Sequence, residues 1–323
     1  MIGPIPTRAA VVDVGSTSVH LLIADVEETT GALTIVLDLS ELLGLGARVE
    51  ADGLLGHDAR AELVATIAGF ASEGRRSRAG QMVVVGTDPL RHAADAARAC
   101  HEIELASSVP THVIEQDEEG ALTLLGVTGG RLPDRSLAVI DIGGGSTEIV
   151  VAGPEGIRRM VGLPLGASRL DASVGVSDPP TAPELDRLRA EAQRLVDAAP
   201  DLRFDDAIAV GGTAYGVARL ATAPSAPQRF VDPAGLRVAV AMVATERSAD
   251  LAELFALNPR RARILPAGIV ILEALVQRYG IERIEATEAS VRDGLVRALV
   301  RDEHAWRDRL STMRGPGSGR AAA

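Results

Sequence analysis

The sequence predicts an α/β protein made of two related domains, and three observations carry that prediction. First, a pattern of apolar run, Asp-x-Gly, hydroxyl residues and second apolar run occurs twice, as AAVVDVGSTSVHLLIAD from Ala9 to Asp25 and LAVIDIGGGSTEIVVA from Leu137 to Ala152. The copies superimpose with Asp141 on Asp13 and Gly143 on Gly15. Second, each copy is followed by further segments of strand and helix length, the alternation that builds α/β layers. Third, the chain has 323 residues, 46% of them hydrophobic and 24% charged, which is enough for two cores.

Taken in order, Ala9 to Asp25 reads as two strands joined by a tight turn, and ALTIVLDL continues as a third strand. A helix follows from about His57 to Gly74, where Ala59, Leu63, Ile67 and Phe70 share one face, and Met82 to Val85 is a buried strand. Asp88 and Pro89 open the next helix, roughly Leu90 to Glu102, as N-cap and first helical residue. The strand His112 to Glu115 and the helix Glu118 to Val127 close the first half.

In the second half, Leu137 to Ala152 repeats the opening hairpin. APELDRLRAEAQRLVDAA is an amphipathic helix, Ala207 to Val210 is a strand running into Gly211-Gly212-Thr213, and Ala262 to Tyr279 is a long buried helix. Arg283 to Ala286 is a last strand and Asp293 to about Arg309 a final helix. The tail MRGPGSGRAAA is poor in apolar residues and is expected to be disordered.

Composition excludes several classes of function. No apolar run approaches the roughly 20 residues of a membrane helix, and the N-terminus lacks the basic and apolar regions of a signal peptide, so the cytoplasm is the expected location. The single cysteine, Cys100, rules out an internal disulfide framework and any multi-cysteine metal site. A net charge of −11 gives no broad surface for nucleic acid or an anionic membrane, so a polyanionic ligand needs a local positive site. All 33 basic residues are arginine, whose planar fork matches phosphate oxygens. Codon bias alone is the better explanation of that uniformity.

Three glycine turns suggest where such a site lies. Asp13-Val-Gly15-Ser16-Thr17, Gly143-Gly144-Gly145-Ser146-Thr147 and Gly211-Gly212-Thr213 each follow a buried strand. Without a Cβ, their backbone N–H groups can converge on an oxyanion, and the third turn opens a helix whose dipole adds to the attraction. Each alone serves a tight turn equally well; together they favour a phosphate site in a cleft between two domains. Asp13 and Asp141 end their strands beside these turns, and Glu148 lies on the strand after Asp141, placing three carboxylates where Mg²⁺ could be held. Glu118 and Glu119 begin a helix, where an acid pair ordinarily complements the helix dipole.

The set Asp13-x-Gly-Ser, Gly86-Thr-Asp-Pro-Leu-Arg91-His-Ala, Glu118-Glu119-Gly-Ala, Asp141-Ile-Gly-Gly-Gly-Ser-Thr-Glu148, Gly211-Gly-Thr213 and Val291-Arg292-Asp-Gly294 occurs in this order. It resembles the exopolyphosphatase and guanosine pentaphosphate phosphohydrolase (Ppx/GppA) family, within the superfamily of actin, sugar kinases and heat-shock ATPases, over about Ala9 to Val300. The resemblance implies two actin-like, ribonuclease H-like domains with the site in the cleft. Domain I is expected at 1–128, completed by a C-terminal helix at about 301–312, domain II at 129–300, and the tail at 313–323.

By the same resemblance Glu119, 22 residues before Asp141, is the catalytic glutamate, with Glu118 as its fallback, and Arg91 is the phosphate-gripping arginine. Asp141 and Glu148, with Asp13, hold Mg²⁺; Ser16, Gly145 and Ser146 lie around the phosphates. Arg292 matches a signature or packs the last helix. The implied reaction is Mg²⁺-dependent release of terminal phosphate from inorganic polyphosphate or pppGpp, in a cytoplasmic homodimer without nucleic-acid or membrane partners.

The sequence also departs from the family pattern. Gln116 replaces the usual glycine, Asp95 stands for an asparagine, Leu42, Leu43 and Leu45 stand where basic residues are common, and Arg263 replaces an acid. Lost positive charge, and a chain that ends soon after the core fold where long members add an HD-type module, favour short polyphosphates. The departures also motivate a rival reading, a regulatory protein that binds polyphosphate or (p)ppGpp without turnover. A third, an actin-like small-molecule kinase, would need an acceptor-site base that the sequence does not display.

Overall fold

The computed structural model describes residues 6–221, 230–302 and 305–320. The chain divides into two compact units, Met1–Leu132 with Ala289–Gly315 and Pro133–Glu288 with Pro316–Ala323. Unit 1 opens with β1 (Thr7–Val14), β2 (Val19–Val26), β3 (Leu33–Glu41), α1 (Leu45–Asp52), α2 (Gly56–Arg76), β4 (Gln81–Gly86), α3 (Asp88–His92), α4 (Ala96–Ser107), β5 (Thr111–Val113) and α5 (Gln116–Thr128). Unit 2 follows with β6 (Leu137–Ile142), β7 (Thr147–Gly153), β8 (Gly156–Leu163), α6 (Ala167–Val174), α7 (Ala182–Asp197), β9 (Asp206–Val210), α8 (Gly211–Leu220), β10 (Phe230–Val231), α9 (Pro233–Thr245), α10 (Ser248–Leu254), α11 (Pro259–Tyr279) and β11 (Ile284–Thr287). The chain then returns to unit 1 through α12 (Val291–Asp302) and α13 (Trp306–Thr312), before β12 (Arg314–Arg320).

The sheet of unit 1 has the order β3-β2-β1-β4-β5, antiparallel through the first three strands and parallel from β1 onward. In unit 2 the five strands β8-β7-β6-β9-β11 repeat that order and those directions, with β12 and β10 added at the two ends. The duplicated hairpin is therefore the centre of each sheet. Asp13 lies opposite His20 on β2 and Asp141 opposite Glu148 on β7, the same register in both copies.

Period-two alternation explains why these hairpins read as unbroken apolar runs. Ala10, Val12 and Val14 pack with Leu63 and Ile67 of α2 and Ala99 and Ile103 of α4, while Ala9 and Val11 are fully buried on the opposite face, against which α12 packs. A strand covered on both faces has no polar side to show. In unit 2 the core joins β6, β7 and β9 to α7, α8 and α11. No helix among the described residues is long and apolar enough to cross a membrane.

Four expectations are corrected. The helix expected over Leu90 to Glu102 is two, α3 and α4, capped by Thr87 and Asp95 rather than by Asp88. The chain breaks because Ala94 N–H donates to Gly53 O, while the Asp95 carboxylate takes the N–H groups of Leu55 and Gly56 and the guanidinium of Arg60. The helix expected over Asp293 to Arg309 is also divided, because Trp306 packs edge-on to His112 and Arg307 donates to Val113 O and Glu118. Of the tail, Arg314–Arg320 forms β12 beside β8, since an edge strand needs only backbone pairing and accepts proline, and 321–323 lie outside the described residues.

The fourth correction concerns α12, expected in the second domain as far as residue 300 but belonging to unit 1. The reason is a pair of glycines where α12 crosses α5. A Cβ on Gly294 would stand 1.8 Å from Leu122 O, and one on Gly126 would stand 2.3 Å from Ser290 O. Only backbone fits at this crossing. Gly294→Ala should therefore lower stability by about 1–3 kcal/mol, toward the upper end because the obstacle is backbone and cannot rotate away. Urea denaturation checks this; an unchanged midpoint would show that the helices separate freely.

Candidate active site

Unit 1 gathers one buried charged cluster at the end of its central strands. Glu119 sits in the first turn of α5, and its Oε2 accepts from Arg91 Nη1 at 2.7 Å, with both side chains about one-tenth exposed. The same Arg91 nitrogen donates to Ile114 O at 2.9 Å. Burial pushes the Glu119 carboxyl up from the ordinary glutamate range, and Arg91 opposes it. A carboxyl raised by burial and opposed by an adjacent arginine is chemically able to serve as a general base.

Asp13 completes this cluster from the end of β1. Its residue surface is partly exposed, yet its Oδ1 is enclosed and has no hydrogen-bond partner. Burial, reinforced by the Glu119 charge, pushes its carboxyl up to about 7, against the pull of Arg292 and Arg91. Arg292, at the start of α12, pairs with Asp38 of β3 at 2.6 Å.

Glu118, although adjacent, is committed elsewhere. Its carboxylate receives Glu115 N–H in a capping box that starts α5, and Arg307 of α13 pairs with it at 2.9 Å. Helix spacing sends the two neighbours in different directions, so the structure separates what the sequence left paired. Nothing in the sequence identified Arg307 as that partner.

The glycine turns have matching geometry. Gly15 N–H donates to Ser18 O at 3.0 Å and Gly143 N–H to Ser146 O at 2.9 Å, the same closing bond in each hairpin. Ser16 Oγ donates to Asp88 Oδ2 at 2.9 Å, and Thr17 O accepts from Gly44 N–H, so this turn is tied to α3 and to the entry of α1. Thr147 Oγ1 likewise donates to Leu165 O. Backbone amides rather than these hydroxyls are the groups the turns can offer an anion.

In unit 2 the loop before α6 packs directly on the triple glycine. A Cβ on Gly166 would fall 2.4 Å from the Gly144 carbonyl, and α6 spends the N–H groups of Ala167 and Arg169 on Gly143 O and Gly144 O. Gly211 has φ +84°, and its missing Cβ would lie 3.1 Å from Asp141 Oδ1, which brings the carboxylate and the start of α8 together. Arg261 rests on Gly212 and Thr213 packs on Gly268. Gly211→Ala combines left-handed strain with a carboxylate contact and should cost about 1–3 kcal/mol, read from the thermal midpoint of the variant.

Two features bear on a cation. Asp141 and Glu148 are directly opposed on neighbouring antiparallel strands, so their side chains share a face, where like charges repel unless something positive stands with them. The enclosed Asp13 Oδ1 is the kind of unsatisfied hard oxygen that a divalent ion accepts. The donor chemistry fits Mg²⁺. Among the described residues no three His, Cys, Asp or Glu side chains form a group.

Several of the departures from the family pattern, Asp95, Leu43, Leu45 and Arg263, have structural roles. Asp95 is held below the ordinary carboxylate range by two backbone N–H groups and Arg60, despite burial. Leu45 is fully buried and Leu43 packs on the same core. Arg263 pairs with Asp171 and donates to Val176 O. Asp95→Asn should lose the Arg60 charge pair and about 2 kcal/mol of stability while leaving activity unchanged. Parallel melting curves and assays test both halves.

The Ppx/GppA phosphatase family profile matches residues 22–303. Exopolyphosphatase 1 of Mycobacterium leprae is 29% identical over 309 residues, covering 90% of this chain and 88% of that protein. The guanosine-5'-triphosphate,3'-diphosphate pyrophosphatase of Aeromonas hydrophila is 25% identical over 299 residues, 91% of this chain and 60% of its own length. The Ppx/GppA enzyme structure from Aquifex aeolicus superimposes with a TM-score of 0.75 at 25% identity, over 91% of this chain and 100% of that one. An exopolyphosphatase from Cytophaga hutchinsonii, 18% identical, shares the fold with a TM-score of 0.79 over 91% of this chain and 98% of that one. With its profile match over most of the chain and its fold shared with these proteins, the chain belongs to the Ppx/GppA phosphatase family.

Proposed function

We propose that this protein hydrolyses terminal phosphoanhydride bonds, releasing orthophosphate from short inorganic polyphosphate, from pppGpp, or from both. The observation that carries the reading is the buried Glu119–Arg91 pair at the start of α5. Ionised Glu119 orients a water and takes its proton as the water oxygen bonds to the terminal phosphorus and the bridging P–O bond breaks in line. Arg91 keeps that carboxylate charged and fixed. The amides of the Gly143–Ser146 and Gly211–Thr213 turns receive charge on phosphoryl oxygens.

Asp141 and Glu148, opposed on β6 and β7, would hold Mg²⁺, which when bound neutralises phosphate charge, and the enclosed Asp13 oxygen is a separate donor of the same chemistry. The reading includes a cytoplasmic homodimer, which sedimentation and fractionation check. Turnover is favoured over ligand binding without chemistry because Asp95 and Leu45, two motives for the binding reading, have roles in the fold. The test is phosphate release with Mg²⁺ from tripolyphosphate, long polyphosphate, pppGpp and ATP. Release fastest from tripolyphosphate or pppGpp is expected; tight binding of both with no release over hours would leave a sensor instead.

A further inference from the structure

Unit 1 contains a polar cavity of about 100 Å³ at the C-terminal end of α5, the end opposite Glu119. It is walled by the end of β2 at Val26, the turn Glu27 to Gly31, the C-terminal end of α5, and the later turns of α12 and α13. β2 runs from the Gly15–Ser18 turn to this cavity, so its eight residues separate that turn from it by roughly 25 Å at ~3.3 Å per residue, while along α5 its lining begins at Leu125, about 9 Å from Glu119 at ~1.5 Å per residue. The volume accommodates several waters or one oxyanion of phosphate size.

Four arginines line it, namely Arg131, Arg297, Arg301 and Arg309. Arg297 reaches only carbonyl oxygens, those of Gly31, Gly126 and Asp293, and burial pushes its guanidinium down. Arg309 is pushed down by burial and then by the neighbouring Arg301, with Asp302 at 3.4 Å opposing. The lining acids are Glu27 and Glu28, which already accept from the hydroxyls of Thr29, Thr30 and Thr7. Among the described residues the side chains of Arg131 and Arg301 make no ion pair.

Arginines that crowd a partly desolvated cavity repel one another, and a ligand with more than one negative charge removes that repulsion while using their paired N–H donors. We propose that this cavity is an anion site, separate from Glu119, that takes a phosphate-type dianion, either free orthophosphate or the terminal phosphate of a short chain. The proposal stands on the four arginines and the cavity, and does not depend on Glu119 being a catalyst.

Isothermal titration calorimetry in EDTA, with sodium chloride at matched ionic strength as control, tests it with orthophosphate and tripolyphosphate. The variants are Arg131→Gln/Arg301→Gln, both at exposed positions, and Glu119→Gln. A saturable event that weakens at least tenfold in the arginine variant and persists in Glu119→Gln is expected. If both anions give this event the ligand is free phosphate; if tripolyphosphate alone does, it is a chain end. Equal affinity in wild type and the arginine variant, or heat reproduced by chloride, overturns the proposal. A melting midpoint within a few degrees of wild type confirms that the arginine variant is folded.

Discussion

Glu119→Gln should reduce phosphate release by about 10²–10⁴-fold, the range for losing a positioned general base. The substitution keeps size and an oxygen that can accept from Arg91 Nη1, so the fold and the affinity for substrate should change little. Glu118→Gln should do the reverse. It weakens the α5 capping box and the Arg307 pair, costing about 1 kcal/mol of stability, and leaves turnover near wild type. Single-turnover phosphate release and thermal melts on both variants decide the matter. An inactive Glu118→Gln beside an active Glu119→Gln would transfer the base to the other glutamate.

That contrast also shows where the sequence stopped being informative. Motif spacing identified the glutamate pair, but the geometry that divides them comes from Arg307, nearly two hundred residues later. The hairpins were readable because Asp13 and Asp141, each followed by a glycine turn, interrupt short apolar runs buried on both faces. The break between α3 and α4 was not, because Asp95 reads locally as an ordinary helix residue and only contact with Leu55, Gly56 and Arg60 ends the helix there.

The placement of α12 was equally hidden. Gly294 stands in a recognisable motif, yet its function is to let α12 touch α5, a tertiary fact with no local signature. The leucines near Leu43 were misleading for a related reason. Absence of charge suggested a weakened ligand site, whereas Leu45 lies in the core and Leu43 packs against it. A substitution judged against a family pattern needs its contacts before its charge can be interpreted.

Arg91→Met separates the two duties of the arginine through their pH dependence. In the native protein burial raises Glu119 and Arg91 opposes that rise, so the acidic limb of kcat/KM falls above the ordinary glutamate value of 4.5. Removing Arg91 removes the largest opposing charge, and the limb should move to still higher pH. Stability follows with a definite sign. A carboxyl raised in the folded state favours folding while protonated and loses that contribution as pH rises through its folded pKa. Arg91→Met should therefore melt close to wild type in acid and lose about 3–5 kcal/mol at alkaline pH, where an uncompensated Glu119 charge is forced to stay buried. Adding Glu119→Gln should restore most of that loss at alkaline pH, giving a coupling energy that vanishes in acid. Melting curves for the four proteins of this cycle at pH 5 and pH 9 test the account. An Arg91→Met deficit equal at both pH values would mean that Arg91 acts through packing and not through the charge of Glu119.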